Sequence, residues 1–334
     1  MKQLLSAQAY QELSQHGYFK PGIKLEQSYI TQAREVFASY TTKDSNFGYY
    51  YSNVISNYAK PKNLRHFWGN FLNRHFPALE ARKEQFRRYS KCVFDTSSFM
   101  PIFIQACLDR GLTDSFADKN FLLSHDVLFE SDRQDSTFGF HYDPFSWDFF
   151  LQSGDDLTLY MPLQDLNEES GGRLWVEKFS QDQDKFATRN SDVADFFATC
   201  ARYAELNQYG QVSRDACKKS KHADRIADAY GKLLMSRHRK PPKQADEMSV
   251  INAQAGEVFV FNNKNFHTVE PWKLHSMRQN FSTRLLPLYD FGAQPPETFL
   301  DNRQCSRYVL DVNQGCIQAF DPKRAPRSVY YPWR

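Results

Sequence analysis

The sequence predicts a mainly β protein with helical elaborations: a jelly-roll (double-stranded β-helix, cupin-like) barrel with N-terminal helices and a helical insertion. Short apolar runs bounded by turn residues recur between residues 121 and 288. Helical spacing of apolar residues dominates before them, and a charged, alanine-rich segment interrupts them. Aromatic residues make up 16% of the chain, which favours pleated sheets around a crowded apolar interior.

The first part of the chain has the pattern of helices. Ala7 to Leu13 is amphipathic and stops before Gly17. Tyr29 to Tyr40 and Leu64 to Phe86 carry apolar residues at helical spacing among charges. We therefore expect residues 1–120 to form a helical N-terminal layer.

Five apolar runs have the pattern of strands. They are Phe121 to Phe129, Leu157 to Leu163, Arg173 to Val176, Glu257 to Asn262 and Arg278 to Leu288. Because they flank a long gap, they predict one antiparallel barrel or sandwich with an insertion. A single domain over 1–334 follows, with its jelly-roll core at 121–180 and 250–292, a helical lid at 181–249 and a C-terminal wrap at 293–334.

The second part of the insertion is basic. From Arg214 to Lys243 it holds ten Lys and Arg against three Asp, a net charge of about +7. A solvated helical face and a surface that binds phosphate or RNA are both compatible with this run.

Composition, charge and cysteine spacing indicate an ordinary globular protein. Hydrophobic residues at 41% and charged residues at 24% are ordinary for a soluble globular protein, and a net charge of +3 gives no reason to expect nucleic acid. The sequence has neither a secretory signal nor an apolar run long enough to span a membrane. Six scattered cysteines without a C-x-x-C motif fit reduced thiols. We expect a cytoplasmic monomer or homodimer that does not bind membranes.

The residues His141-Tyr142-Asp143 carry the first indication of chemistry. Alternate residues of a strand face the same way, so His141 and Asp143 can hold one metal ion, and His267 follows Asp143 by 124 positions. Two imidazoles and one carboxylate with open positions are typical of non-haem Fe(II) oxygenases. H-x-D arises often by chance, and His267 alone could be a surface residue. The interpretation as a metal site therefore depends on the motifs that follow His141 in the sequence.

From His141 onward the order of motifs resembles the Fe(II)/2-oxoglutarate-dependent oxygenases, most closely the phytanoyl-CoA-dioxygenase-like branch. The strand LTLYMPL, the turn NEESGG and the strand RLWV follow His141-Tyr142-Asp143; AGE then precedes the apolar strand VFVF. His267 lies just beyond that strand, and Arg278 comes eleven residues later. The chain departs from the branch at Glu177-Lys178-Phe179-Ser180, where many members have Pro-Gly-Ser-His.

The resemblance implies catalytic Fe(II) on His141, Asp143 and His267, with 2-oxoglutarate and O2 as cosubstrates. The far carboxylate of 2-oxoglutarate would be buried and would need a fixed partner, which a guanidinium supplies. Arg278 stands at the family's distance from the histidine. Arg284, six residues later, can share its face of the strand and is the alternative anchor. Ser282 and Asn280 lie on the same face, and we expect them to assist in binding the cosubstrate.

Aromatic residues near the triad predict a pocket wall that excludes water. Tyr142, Phe145 and Trp147 are the candidates nearest the metal, and Trp175 is placed there by the resemblance. Barrel core is the alternative interpretation of the same residues.

The expected reaction is hydroxylation of a small, carboxylated metabolite, with release of succinate and CO2. Chlorinating relatives lack the carboxylate ligand, whereas Asp143 is present here. The same triad also serves oxidative cyclisation, as in kainoid synthases, and desaturation in natural-product biosynthesis. A carrier-bound or acyl-CoA substrate, an RNA-modifying oxygenase and a metal-binding jelly-roll module without turnover remain open.

Overall fold

Two antiparallel sheets stacked face to face form the centre of the molecule. The computed structural model describes residues 4–39, 90–93, 99–117, 120–131, 141–142, 157–178, 195–196, 198–205, 214–237, 245–288 and 308–319. Within them the large sheet has eight strands: β1 (Tyr18–Phe19), β2 (Ser90–Val93), β3 (Asn120–Ser131), β4 (Leu157–Pro162), β7 (Phe259–Asn262), β9 (Arg278–Leu288), β10 (Tyr308–Asp311) and β11 (Cys316–Ala319). The small sheet contains β5 (Leu174–Glu177), β6 (Met248–Ile251) and β8 (His267–Val269).

The chain passes back and forth between the two sheets, which is the jelly-roll topology. The large sheet has the order β1-β7-β4-β9-β3-β10-β11 with β2 paired to β3, and the small sheet has the order β6-β5-β8. After β3 the chain enters the small sheet at His141, which bridges to His267. It returns in β4, leaves in β5 and β6, returns in β7, leaves in β8 and returns in β9. The predicted fold class, mainly β with helical elaborations, is confirmed.

Strand β4 shows how the large sheet divides its side chains. Leu157, Leu159 and Met161 belong to the main hydrophobic core on the outer face, while Tyr160 packs with the apolar residues of the small sheet. All six residues of β4 are buried because both faces of the sheet are covered. The inner face therefore holds the space in which a site between the sheets can form.

Three helices cover the outer face: α1 (Ala7–His16), α2 (Gln27–Ser39) and α3 (Met100–Leu108). Helix α1 begins where the Ser6 hydroxyl accepts a hydrogen bond from the backbone N–H of Ala9. It ends at Gly17, which adopts the left-handed conformation (φ 78°) and donates its N–H to the Leu13 carbonyl. Helices α1 to α3 each contribute buried apolar residues to the main core.

The sequence-based elements agree with the structure in type and differ from it at their ends. Helices α1 and α2 and strands β3, β4, β5, β7 and β9 lie where they were predicted. The insertion contains helix α4 (Arg214–Lys219), helix α5 (Ala223–Arg237) and helical residues at 198–203. Leu64 to Phe86 lies outside the described residues.

Two predicted layers contain strands that the sequence pattern did not indicate. Strands β1 and β2 occur within the part of the chain predicted to be a helical layer, and each joins the large sheet. The predicted C-terminal wrap contains the β10–β11 pair, which extends the same sheet beyond β3. These strands are short, and their few residues carry too little periodicity to be distinguished from loops. Within the described residues no helix is long and apolar enough to cross a membrane.

Phe281 joins the helical layer to the sheet and offers a test of their packing. It is fully buried on β9, and its ring meets Phe99 at 5.1 Å and Phe103 at 4.7 Å in edge-to-face geometry. We expect Phe281→Ala to lower the free energy of unfolding by about 3–5 kcal/mol through the cavity it leaves. Ile102→Ala, at an exposed position of α3, should change it by less than about 0.5 kcal/mol. Urea denaturation of both variants measures the difference, and equal effects would contradict this packing.

Candidate metal and anion-binding site

His141 and His267 lie side by side where the chain passes through the small sheet. The backbone N–H of His267 donates to the His141 carbonyl at 2.8 Å, and the N–H of His141 donates to the His267 carbonyl at 3.1 Å. The two imidazole rings are 4.4 Å apart between centroids, and the two residues are only 8% and 6% exposed. The structure thus brings together two of the three predicted metal ligands, which are 126 positions apart in the sequence.

The ring of His267 is held in one orientation. Its Nδ1 lies 2.9 Å from the Asn265 carbonyl oxygen, and since a carbonyl can only accept, Nδ1 carries the hydrogen. The lone pair is then on Nε2, the nitrogen left to bind a metal ion. The Phe261 ring packs against the same imidazole at 5.1 Å.

Three predicted site residues, Asp143, Phe145 and Trp147, lie outside the described residues. Among the residues that the structure does describe, no group of three or more His, Cys, Asp or Glu side chains is placed to hold a metal ion. Asp143 as third ligand therefore stays a prediction, which depends on alternation from His141 along an extended chain.

Tyr142 and Trp175 are not brought to the histidine pair. Tyr142 follows His141, is fully buried, and packs edge-on against Phe266 at 5.4 Å. Trp175 precedes Val176, the residue paired with His267, and alternation turns it to the opposite face of the small sheet. Its indole Nε1 donates to Glu270 there at 3.2 Å. The contacts of Tyr142 and Trp175 therefore stabilise the segments that carry His141 and His267.

Arg278 is buried between the sheets with neutral hydrogen-bond partners. It is 3% exposed, and its Nε donates to the Gly172 carbonyl at 3.0 Å. Its Nη1 donates to Asn280 Oδ1 at 3.0 Å, and its Nη2 donates to the Tyr160 hydroxyl at 2.6 Å. In the described part of the chain no carboxylate forms an ion pair with it. Burying a charge without an opposite charge is costly, so this arrangement suits a bound anion.

Gly172 makes the approach of Arg278 possible. Its backbone is left-handed (φ 65°), and a Cβ there would lie 2.8 Å from both Cδ and Nε of Arg278 and 2.7 Å from the Trp272 ring. Any side chain would displace the guanidinium or the indole. The sequence shows the Gly171-Gly172 pair, but only the fold shows that it packs against an arginine 106 residues away.

Tyr160 is a site residue that sequence reasoning missed. Burial raises the pKa of its phenol, and the Arg278 guanidinium only partly opposes that rise. The phenol therefore stays neutral; it accepts from Arg278 and keeps its own hydrogen for a ligand. Its ring stacks on Phe259 at 4.7 Å. Within the sequence LTLYMPL, Tyr160 resembles an ordinary core residue. It is identified as a site residue only by its position on the inner face of β4 and by its hydrogen bond with Arg278.

Arg284 and Ser282 share the inner face of β9 with Arg278. The Arg284 Nη1 donates to the Thr158 hydroxyl, which in turn donates to Asn263 Oδ1. Ser282 stands opposite Tyr160 in the sheet register. The predicted sharing of one face by Arg278, Asn280, Ser282 and Arg284 thus agrees with their contacts and with the alternation of the strand.

Arg278 and the histidine pair both contact the segment that leads into and through β5. Arg278 contacts the backbone at Gly172, and His267 pairs with Val176, four residues further along the chain.

Comparison with known proteins gave only distant structural likenesses. No family model and no curated protein matches the chain. HygX from Streptomyces hygroscopicus, solved with nickel and 2-oxoglutarate, is 11% identical and has a TM-score of 0.43, with 87% of this chain and 90% of that chain covered. SnoN, a non-haem α-ketoglutarate-dependent epimerase from nogalamycin biosynthesis, is 11% identical with a TM-score of 0.42 over 84% and 82%. ThoJ, a non-haem monooxygenase, is 12% identical with a TM-score of 0.41 over 85% and 80%. These TM-scores and identities are too low to indicate the chemistry of the site in this chain.

The hydrogen bond between Arg278 and Tyr160 can be tested by its effect on stability. Tyr160→Phe should lower the free energy of unfolding by about 1–3 kcal/mol, because a buried guanidinium N–H loses its acceptor. Tyr308→Phe on β10, where the tyrosine is partly exposed, should have an effect of less than about 0.5 kcal/mol. Chemical denaturation at neutral pH compares them. Equal stability of wild type and Tyr160→Phe would argue against a buried guanidinium at this position.

Proposed function

We propose that the protein is a non-haem Fe(II)/2-oxoglutarate-dependent oxygenase of the phytanoyl-CoA-dioxygenase-like type. Its reaction oxidises an unactivated C–H bond of a small carboxylated metabolite and releases succinate and CO2. The observation that carries the proposal is the pairing of two features on the inner faces of the sheets. One is the buried Arg278 guanidinium, which has no carboxylate partner among the described residues, and the other is the buried pair of imidazoles from His141 and His267.

The donor set fits Fe(II). The contact of Nδ1 of His267 with the Asn265 carbonyl places the lone pair of His267 on Nε2, His141 lies beside it, and Asp143 would supply the carboxylate two residues after His141. Two imidazoles and a carboxylate leave coordination positions for a bidentate cosubstrate and for dioxygen. When bound, the iron supplies the oxidising chemistry, which amino-acid side chains cannot perform.

The chain's own residues bind and orient 2-oxoglutarate. Its 2-oxo acid end belongs at the metal, and its far carboxylate belongs at Arg278. There the guanidinium provides a fixed positive charge and Tyr160 provides a hydroxyl hydrogen. Asn280 and the Gly172 carbonyl orient the guanidinium before the ligand arrives, so little is lost in ordering it.

The positive charge on the inner face of β9 supports a carboxylated substrate. The positive charges of Fe(II) and Arg278 match the negative charges of Asp143 and of the 2-oxoglutarate dianion. Arg284 adds a further positive charge on the same face of β9, where it donates to the Thr158 hydroxyl. That charge would attract a negatively charged group on the substrate. With Asp143 filling the carboxylate position, hydroxylation is favoured over halogenation, and product analysis separates it from cyclisation and desaturation.

The metal site is tested by spectroscopy of the protein without oxygen. Wild type with Fe(II) and 2-oxoglutarate should show a weak visible charge-transfer band, because the cosubstrate chelates the iron. His267→Ala should lose this band, whereas His275→Ala, at an exposed position, should keep it. With oxygen admitted, succinate release should depend on a carboxylated substrate. Absence of the band in wild type, or its survival in His267→Ala, would overturn the proposal.

The roles of the two arginines are separated by ligand affinity. Arg278→Ala should weaken binding of 2-oxoglutarate to the Ni(II)-loaded protein by about 100-fold or more, since it removes a buried ion-pair partner. Arg278→Lys should recover only part of the loss, because an ammonium lacks the planar fork. Arg284→Ala should leave this affinity within about threefold and should instead raise the KM for the carboxylated substrate. Isothermal titration of the three variants measures the affinities, and the opposite order would make Arg284 the anchor.

A further inference from the structure

The turn that carries His267 is polar and yet buried. Asn262, Asn263, Lys264 and Asn265 connect β7 to β8, and each is at most 2% exposed. Turns normally lie at the surface, because their polar groups need water. A buried polar turn must have its hydrogen bonds satisfied within the protein, and those bonds fix its shape.

Asn265 makes four of these hydrogen bonds. Its backbone N–H donates to the Asn262 carbonyl at 3.1 Å, and its carbonyl accepts from Nδ1 of His267 at 2.9 Å. Its side-chain amide donates both hydrogens, to the Glu177 carbonyl at 3.0 Å and to the Gly17 carbonyl at 3.2 Å. Asn265, which orients the His267 imidazole, is therefore itself held by hydrogen bonds to two other segments of the chain.

The two carbonyls belong to elements far apart in the sequence that meet at this point. Gly17 ends helix α1, and Glu177 ends strand β5. A Cβ on Gly17 would lie 2.1 Å from the Glu177 carbonyl oxygen, so the two backbones are in direct contact. Glu177 also binds the turn, since its N–H donates to the Phe266 carbonyl at 2.8 Å and its carboxylate accepts from the Phe266 N–H at 3.1 Å.

We propose that Asn265 is a positioning residue for the metal ligand His267. Its carboxamide clamps the turn between the end of α1 and the end of β5, and its carbonyl thereby keeps the hydrogen of His267 on Nδ1 and the lone pair on Nε2. The importance of this role for catalysis rests on the proposed function. The hydrogen-bond geometry concerns the imidazole itself, whether or not a metal is bound.

An amide is the side chain that satisfies this position. Two carbonyl oxygens require two donors on one short side chain, which the NH2 group of asparagine provides. Serine offers one donor, alanine offers none, and each would leave at least one buried carbonyl without this partner. The turn would then lose its register, and the Asn265 carbonyl would move off the line of Nδ1–H.

The test compares Asn265→Ala and Asn265→Ser with wild type by two measurements. Affinity for Ni(II), determined by competition with a chelator, should fall about 10- to 100-fold in Asn265→Ala, as for other residues that orient a metal-binding histidine. The loss should be smaller in Asn265→Ser. In the metal-free protein, long-range ¹H–¹⁵N correlation spectra should show His267 as the Nδ1–H tautomer in wild type and as a mixture in both variants. Loss of the signals in His267→Ala assigns them.

Ile104→Ala is the matched control, because it removes buried contacts in α3 and does not touch the turn. It should lower the melting temperature without changing the Ni(II) affinity or the His267 tautomer. If Asn265→Ala lowers only the melting temperature, its role is structural and the inference is wrong. If wild type binds no Ni(II), the proposed function fails, while the tautomer measurement in the metal-free protein still decides the role of Asn265.

Discussion

A positive charge enclosed between two sheets is the constraint on which the candidate site depends. The Arg278 guanidinium is held by a backbone carbonyl, an amide oxygen and a phenol, none of which can neutralise it. Such an arrangement is costly in the free protein, and it becomes favourable when an anion enters. Two residues around Arg278 are suited to a buried guanidinium. Gly172 lacks a side chain where the arginine passes, and Tyr160 is kept neutral by its burial.

The jelly roll explains why Arg278 and His267, from different sheets, both lie on inner faces. Strand β9 presents alternate residues inward from the large sheet, and β8 does the same from the small sheet. The outer face of the large sheet is covered by α1, α2 and α3 and is mainly apolar, whereas Arg278 and Asn280 lie on its inner face. The two faces of the sheet thus divide a hydrophobic core from a polar interior.

Much of the fold could be predicted from the sequence, since the long strands have clear patterns. Strand β9 begins and ends where it was predicted, and helix α1 ends at the glycine that its pattern indicates. Strands β6, β8, β10 and β11 have three or four residues each, and runs this short carry almost no periodic signal. In the candidate site, Arg278, His141 and His267 could be selected from the sequence, because few other residue types can hold an anion or a metal ion. Their roles stay predictions.

The supporting residues could not be predicted in the same way. Tyr160, Gly172 and Asn265 act through partners more than a hundred, or more than two hundred, positions away, as the contacts with Arg278 and Gly17 show. Nothing local distinguishes them from an ordinary core tyrosine, turn glycine or turn asparagine. Conversely, Tyr142 was expected at the pocket from its place beside His141, and Trp175 from the family resemblance. Tyr142 packs against Phe266, and the alternation of β5 turns Trp175 to the face opposite Val176.

The contact between Gly17 and Glu177 bears on where the functional unit begins. The predicted metal ligands span 141–267, and His267 lies on β8. A truncated protein that started after Gly17 would keep every one of those predicted ligands. It would lack the carbonyl that receives the Asn265 amide, and it would lose the backbone contact at the end of β5. The end of the N-terminal helix therefore belongs to the structural unit that holds His267, although no side chain of that helix is a predicted ligand.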